Sequence, residues 1–154
     1  MLLIEKVLQL KSSDIFSNTP EPELVELAGI LEEIYLDENL TIFTKDEVGK
    51  CMYFIHKGSV RIHDGEHSFA VLGENEIFGE LSLFDDEPRS ASATTTQETI
   101  LLKLNQEPFY EVLVHNTEIL KGILKMLSRR LRIMDKKTVE LKNTIAANAA
   151  EAKP

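Results

Sequence analysis

Residues 78–95 read FGELSLFDDEPRSASATT. A glycine and a glutamate stand near the front, an acidic loop follows, and a lone arginine then sits among Ser, Ala and Thr. Small side chains let backbone N–H groups approach a bound group closely. Arg89 adds a planar, permanently charged fork suited to phosphate. "GELSLF" reads as one short helical turn, with unpaired N–H donors and a partial positive charge at Gly79. Ser90 offers a hydroxyl as well. The stretch predicts an anion site, with phosphate as the anion. Glu80 does not belong in a bare phosphate site, because a carboxylate repels phosphate. It either holds Arg89 in place or accepts a hydrogen bond from a sugar hydroxyl.

On both sides of this stretch lie short runs rich in β-branched and aromatic residues: EIYLD, LTIFT, CMYFIHKG, SVRIHDG, HSFAVLG, SASATTT and TILLKLN. Gly49, Gly58, Gly65 and Gly73 punctuate them. Ile100, Leu102 and Leu104 alternate, as do Ala91, Ala93 and Thr95. Seven or eight closely spaced strands over 34–105 predict an antiparallel sandwich or jelly roll. Helices are expected over 2–11 and 20–33, the second with Thr19 as N-cap and Pro20 at the first helical position. Helical periodicity returns at Asn105, read as an N-cap, with Pro108 in the first turn. A long helix is expected from about 117. Its apolar seam is Leu120, Leu124, Leu127, Leu131, Met134, Leu141 and Ile145, with Thr138 the one polar member. The steps alternate 4 and 3, which is a heptad pattern. The seam serves either the helix's own domain or a coiled coil with a second copy. The small, polar tail 146–154 is expected to fray. The domain is placed at 1–145, with C-terminal helices over 106–145.

Bulk properties narrow the function. The chain has 154 residues, 43% hydrophobic and 28% charged, as in soluble globular proteins. No apolar run reaches the roughly 18 residues of a membrane span. The opening MLLIEKVLQL is broken by Glu5 and Lys6 and reads as an amphipathic helix rather than a signal peptide. The single cysteine, Cys51, excludes an internal disulfide and fits a cytoplasmic setting. It reads as a small filler beside a strand. The formal net charge of −9 argues against a nucleic-acid surface. Residues 121–142 hold eight basic and two acidic residues, +6 in all, which leaves −15 on the rest. That basic segment is a solvated helix face or a partner or membrane-surface contact.

A 3′,5′-cyclic nucleotide suits both Arg89 and Glu80. Its phosphate is a monoanion closed into a ring, and only the ribose 2′-OH remains as a donor. "FGELSL", five residues, then "RSASATT" resembles the phosphate-binding cassette of cyclic nucleotide-binding domains. That family includes the regulatory subunits of cyclic AMP-dependent protein kinase, the catabolite activator protein and the cyclic nucleotide-gated channels. The upstream FTKDEVGKCMYFIHKGSVRIH resembles the family's strand-turn-strand signature. One turn departs from it: Asp46-Glu47 stands where Gly-Asp or Gly-Glu is usual. Asp tolerates left-handed backbone, and the turn is expected to lie away from the cassette.

The resemblance implies a mainly β fold, an antiparallel jelly-roll (double-stranded β-helix) barrel with flanking N- and C-terminal helices. It implies a ligand site at Gly79, Glu80, Leu81, Arg89, Ser90 and Ala91. Glu80 takes the ribose 2′-OH, Arg89 takes the cyclic phosphate, and backbone N–H groups near Gly79, Ser90 and Ala91 complete the cradle. It also implies that Leu131, Ile133 or Met134 closes over the base. In the family Thr after the arginine goes with cyclic GMP and Ala with cyclic AMP. Ser90 is neither, but the catabolite activator protein also carries Ser there, which leans to cyclic AMP.

Rival functions fit less well. His56, His63 and His67 invite a cupin-type metal site, but no His-x-His pair occurs, and His56 and His63 flank the Gly58 turn. No nucleophile–base pair is visible, so no catalytic residue and no metal are assigned. A degenerate fold serving only as an interaction module is the other alternative. DNA binding needs a helix-turn-helix after residue 145. None is read there, so output is expected to pass through the terminal helices to an effector protein in trans, unless the chain is part of something longer. A homodimer through the C-terminal helix is the further expected partner.

Overall fold

β3 (Cys51–Lys57) and β8 (Thr99–Asn105) are the centre of the structure, a computed structural model that describes residues 1–152. They pair antiparallel over Cys51↔Asn105 to Ile55↔Leu101. β1 (Glu32–Leu36) flanks β8, and β6 (Ile77–Phe78) flanks β3, which completes a four-stranded sheet. A second four-stranded sheet runs β2-β7-β4-β5, from β2 (Thr41–Phe43), β7 (Ser92–Thr95), β4 (Val60–Asp64) and β5 (His67–Leu72). All pairings are antiparallel.

The near-continuous apolar run CMYFIHK has a simple cause: β3 is buried on both faces. Cys51, Tyr53 and Ile55 face the second sheet and join Phe43, Val60, Phe78, Ala93 and Leu101 in one core. Met52 and Phe54 face the other way. With Leu102 and Leu104 they meet a helical layer in a second core. That layer comprises α1 (Leu3–Ser12), α2 (Glu21–Gly29), the four-residue α3 (Leu81–Phe84), α4 (Gln106–His115) and the start of α5 (Thr117–Glu151). Phe16, in the α1–α2 connection, is fully buried, with ring centroids 6.3 Å from Phe54 and 6.1 Å from Phe109.

Several boundaries differ from expectation. α2 stops at Gly29 rather than 33, and Glu32 already pairs with Lys103 of β8. Glycine carries the highest entropic cost for staying helical. Pro20, not Thr19, is the N-cap of α2, so the helix starts one residue late. Asn105 does occupy the N-cap position of α4. Its side chain instead donates to Glu32 Oε1 at 2.9 Å and caps nothing. The eighth strand, β6, has two residues and no legible pattern. Residues 146–151 are helical rather than frayed, because Ala146, Ala147, Ala149 and Ala150 are the best helix formers. Lys153 and Pro154 of that tail lie outside the described residues.

α5 packs on its own domain through Ile119, Gly122, Ile123 and Met126. Of the heptad seam, Leu127 also packs against this core, and the rest turns outward. Leu124, Leu131, Met134, Leu141 and Ile145 are all more than half exposed. From Leu131 to Glu151 every side chain faces solvent. Among the described residues, no helix is long and apolar enough to cross a membrane.

Candidate functional site

The cassette wraps one cavity of about 530 Å³, within the roughly 300–1,000 Å³ of small-molecule pockets. Gly79, Glu80, Leu81, Arg89, Ser90 and Ala91 all line it. Phe43, Ile62, Leu72 and Ile77, from both sheets, form its apolar wall. β6 and β7 are successive strands of different sheets, so the segment between them meets Phe43, Ile62 and Leu72 from β2, β4 and β5, far away in sequence. Leu131, Ile133 and Met134 do not line the cavity. All three are exposed on α5.

Arg89 is buried, at 5% exposure, and its seat is built from backbone. Nη1 donates to the Gly79 carbonyl at 3.1 Å and Nη2 to the Cys51 carbonyl at 2.9 Å. The guanidinium lies over the Phe43 ring, 4.1 Å from its centroid, in a cation–π contact. Nε is buried without a hydrogen-bond partner. A buried charge held this way is oriented in advance, with donors to spare.

Two glycines make room for the fork. At Gly79 φ is +73°, and an added Cβ would lie 2.5 Å from Nη1. At Gly49 it would lie 2.1 Å from Nε. Gly49→Ala therefore evicts the guanidinium from its carbonyls. A loss of about 1–3 kcal/mol of folding stability is expected, the usual cost of stripping charged hydrogen bonds from buried groups. Urea denaturation of the variant against wild type checks this.

The turn that departs from the family pattern does not lie away from the cassette. Asp46 donates its N–H to the Arg89 carbonyl at 2.9 Å, and Arg89 donates its own to the Glu47 carbonyl at 2.8 Å. Val48 and Pro88 form an adjoining bridge. Asp46 adopts φ +73°, the left-handed conformation asked of this position. The turn fixes the arginine's backbone, a role invisible while 46 and 89 are 43 positions apart.

Glu80 does not hold Arg89. Its Oε1 pairs with Nη1 of Arg130 on α5 at 3.4 Å. Arg130 also grips Asp14, in the α1–α2 connection, at 2.8 Å. One α5 residue thus joins the cavity's carboxylate to the helical layer. No spacing in the sequence singles it out among the basic residues of that helix.

The other candidate residues are structural. His56 Nδ1 meets Gln9 Oε1, and His63 meets the Thr94 hydroxyl and the Gly65 carbonyl. His67 packs edge-on against Phe69. Among the described residues no group of three His, Cys, Asp or Glu is placed to hold a metal. Cys51 is a buried filler whose thiol donates to Tyr53 Oη at 3.3 Å. Burial, reinforced by that hydrogen bond, pushes the Tyr53 phenol well above its ordinary range, so the wall behind Phe43 stays neutral.

The profile described as "Cyclic nucleotide-binding domain" matches residues 33–116 of the chain. The chain belongs to the cyclic nucleotide-binding domain family. Related proteins include the cyclic AMP receptor protein of Thermus thermophilus, 33% identical over 82% of this chain and 61% of that protein. The CRP-like cAMP-activated global transcriptional regulator of Mycobacterium tuberculosis is 31% identical over 80% of this chain and 57% of that protein. This cyclic nucleotide-binding domain chain thus spans about three-fifths of the length of those curated relatives. Among solved structures, the N-terminal domain of a transcriptional regulator from Streptomyces coelicolor superposes with a TM-score of 0.78. It is 30% identical, with 84% of this chain and 93% of that one covered. Two of these three are named as transcriptional regulators and the third as a receptor protein.

Proposed function

We propose that residues 1–145 form a non-catalytic sensor whose ligand is a cyclic nucleotide, cyclic AMP in preference to cyclic GMP. The observation that carries this reading is the convergence of buried Arg89 and half-buried Glu80 on one cavity of suitable size. Arg89 takes the cyclic phosphate through its spare donors. Glu80 takes the 2′-OH. Backbone N–H groups at Gly79, Leu81, Ser90 and Ala91 complete the cradle, on a jelly-roll winding of the two sheets. The lean to cyclic AMP rests on Ser90 and on the relatives named for that nucleotide.

The signal leaves through α5. When the 2′-OH engages Glu80 it competes with Arg130, so ligand loosens one of the two ion pairs that tether α5. A helix with two docked positions is then biased by binding. The exposed part of the heptad seam supports self-association of α5 in a homodimer, and its basic flank supports an acidic effector in trans. The absence of a membrane-length helix among the described residues is compatible with a cytoplasmic setting. A second reading is favoured by the transcriptional regulators among the relatives. In it, α5 passes the signal to an attached DNA-binding segment.

Calorimetry with cyclic AMP and cyclic GMP is the direct test. Saturable one-site binding with the tighter fit for cyclic AMP is expected. No heat with either nucleotide leaves the degenerate interaction module as the better account. Hydrogen exchange in residues 117–145 is expected to change on saturation, and light scattering to report a dimer. Unchanged exchange sinks the α5 switch even if the nucleotide binds.

A further inference from the structure

The cavity's charges do not balance. Its lining holds one cation, Arg89, and three carboxylates, Glu80, Asp85 and Glu87. Glu80 is matched by Arg130 from outside the lining. Asp85 and Glu87 form no salt bridge among the described residues. Their loop is held in shape: Asp85 Oδ1 accepts the Glu87 N–H at 3.1 Å, and Pro88 follows directly. Two uncompensated carboxylates thus stand at the same cavity as the phosphate-binding arginine.

We propose that Asp85 and Glu87 make this cavity a charge filter, which admits a singly charged phosphodiester and turns away a doubly charged phosphomonoester. The proposal rests on the cyclic nucleotide reading above and concerns what that site excludes. A 3′,5′-cyclic phosphate carries one negative charge at any pH near neutral. A nucleoside 5′-monophosphate carries nearly two, because its second ionisation falls near pH 6. The first charge is met by Arg89. A second finds no further cation in the lining among the described residues, and two carboxylates instead. Asp85 and Glu87 are solvent-exposed at the cavity's rim, so this repulsion acts through water and weakens as salt rises. Hydrolysis of the cyclic ester adds that second charge. The class of reaction that opens the ring therefore converts the ligand into a molecule the site repels, and the sensor is not blocked by the product.

The test uses calorimetry of the full chain at pH 7.5 with three probes: cyclic AMP, 5′-AMP, and adenosine 5′-methyl phosphate. The last is open like 5′-AMP but singly charged like the ring. Wild type is compared with Asp85→Asn/Glu87→Gln, in which Asn keeps the acceptor that shapes the loop. In the double variant the preference for cyclic AMP over 5′-AMP is expected to shrink by about tenfold, as two through-space repulsions are removed. The preference over the methyl ester should not move. Raising salt should shrink the wild-type preference over 5′-AMP in the same direction. A wild-type ratio against 5′-AMP in the double variant overturns the proposal. So does an equal shift for both open probes, which makes ring shape the discriminator. If wild type binds no cyclic AMP, it is the underlying reading that fails, and the filter falls with it.

Discussion

Arg89→Ala is expected to weaken cyclic nucleotide binding by about 2–5 kcal/mol, the range for truncating one partner of a buried charge pair. That corresponds to roughly 30- to 4,000-fold in Kd. The size of the effect follows from the seat. Gly79 and Cys51 carbonyls and the Phe43 face hold the guanidinium in place before ligand arrives, so little ordering is left to be done on binding. Arg89→Lys should fail too. An ammonium cannot bridge two carbonyls and lie flat on a ring. The same contacts add a stability cost, because both carbonyls lose a donor inside the protein. Each variant is therefore checked for a cooperative thermal transition before titration. Wild-type affinity in folded Arg89→Ala and Arg89→Lys removes Arg89 from the phosphate site.

Phe16→Ala is expected to cost about 3–5 kcal/mol of folding stability, the range for deleting a fully buried aromatic ring. Phe16 is where three elements meet: Phe54 of the central strand β3, Phe109 of α4, and the α1–α2 connection itself. The cavity left behind is ringed by parts of different elements, which cannot all close on it. A second consequence reaches the site. Asp14 lies two residues away and holds Arg130, so loosening this connection loosens α5. Urea unfolding should show the loss, and hydrogen exchange near residue 130 should rise ahead of global unfolding. A loss below about 1 kcal/mol would place the site among the mildest substitutions and show that the aromatic cluster does not join the layers.

Local chemistry made much of this protein legible from its residues. Gly79 has to be glycine because its backbone is left-handed, and the Arg89-Ser90-Ala91 run has to be small around one cation. Both requirements act within a few residues, so they leave a pattern. Strand periodicity likewise revealed seven of the eight strands, and missed β6 because two residues cannot display a period. The apolar run in β3 announced burial without saying against what; helices on one side and the second sheet on the other answer that.

Tertiary structure alone decided the partners. Gly49 looked like turn punctuation and is the floor beneath the Arg89 guanidinium. Asp46-Glu47 looked remote and clamps the arginine's backbone. Glu80 was open between Arg89 and a sugar hydroxyl, and its protein partner is Arg130, fifty positions on. α5 carries two apolar stripes, and only packing shows that Ile119, Ile123 and Met126, with Leu127 of the seam, serve its own domain while the rest of the heptad seam stays free. The reason is the same in each case. Backbone conformation and side-chain size are selected locally and so are written locally, whereas the pairing of groups 40 or more residues apart depends on how the sheets and helices close on one another.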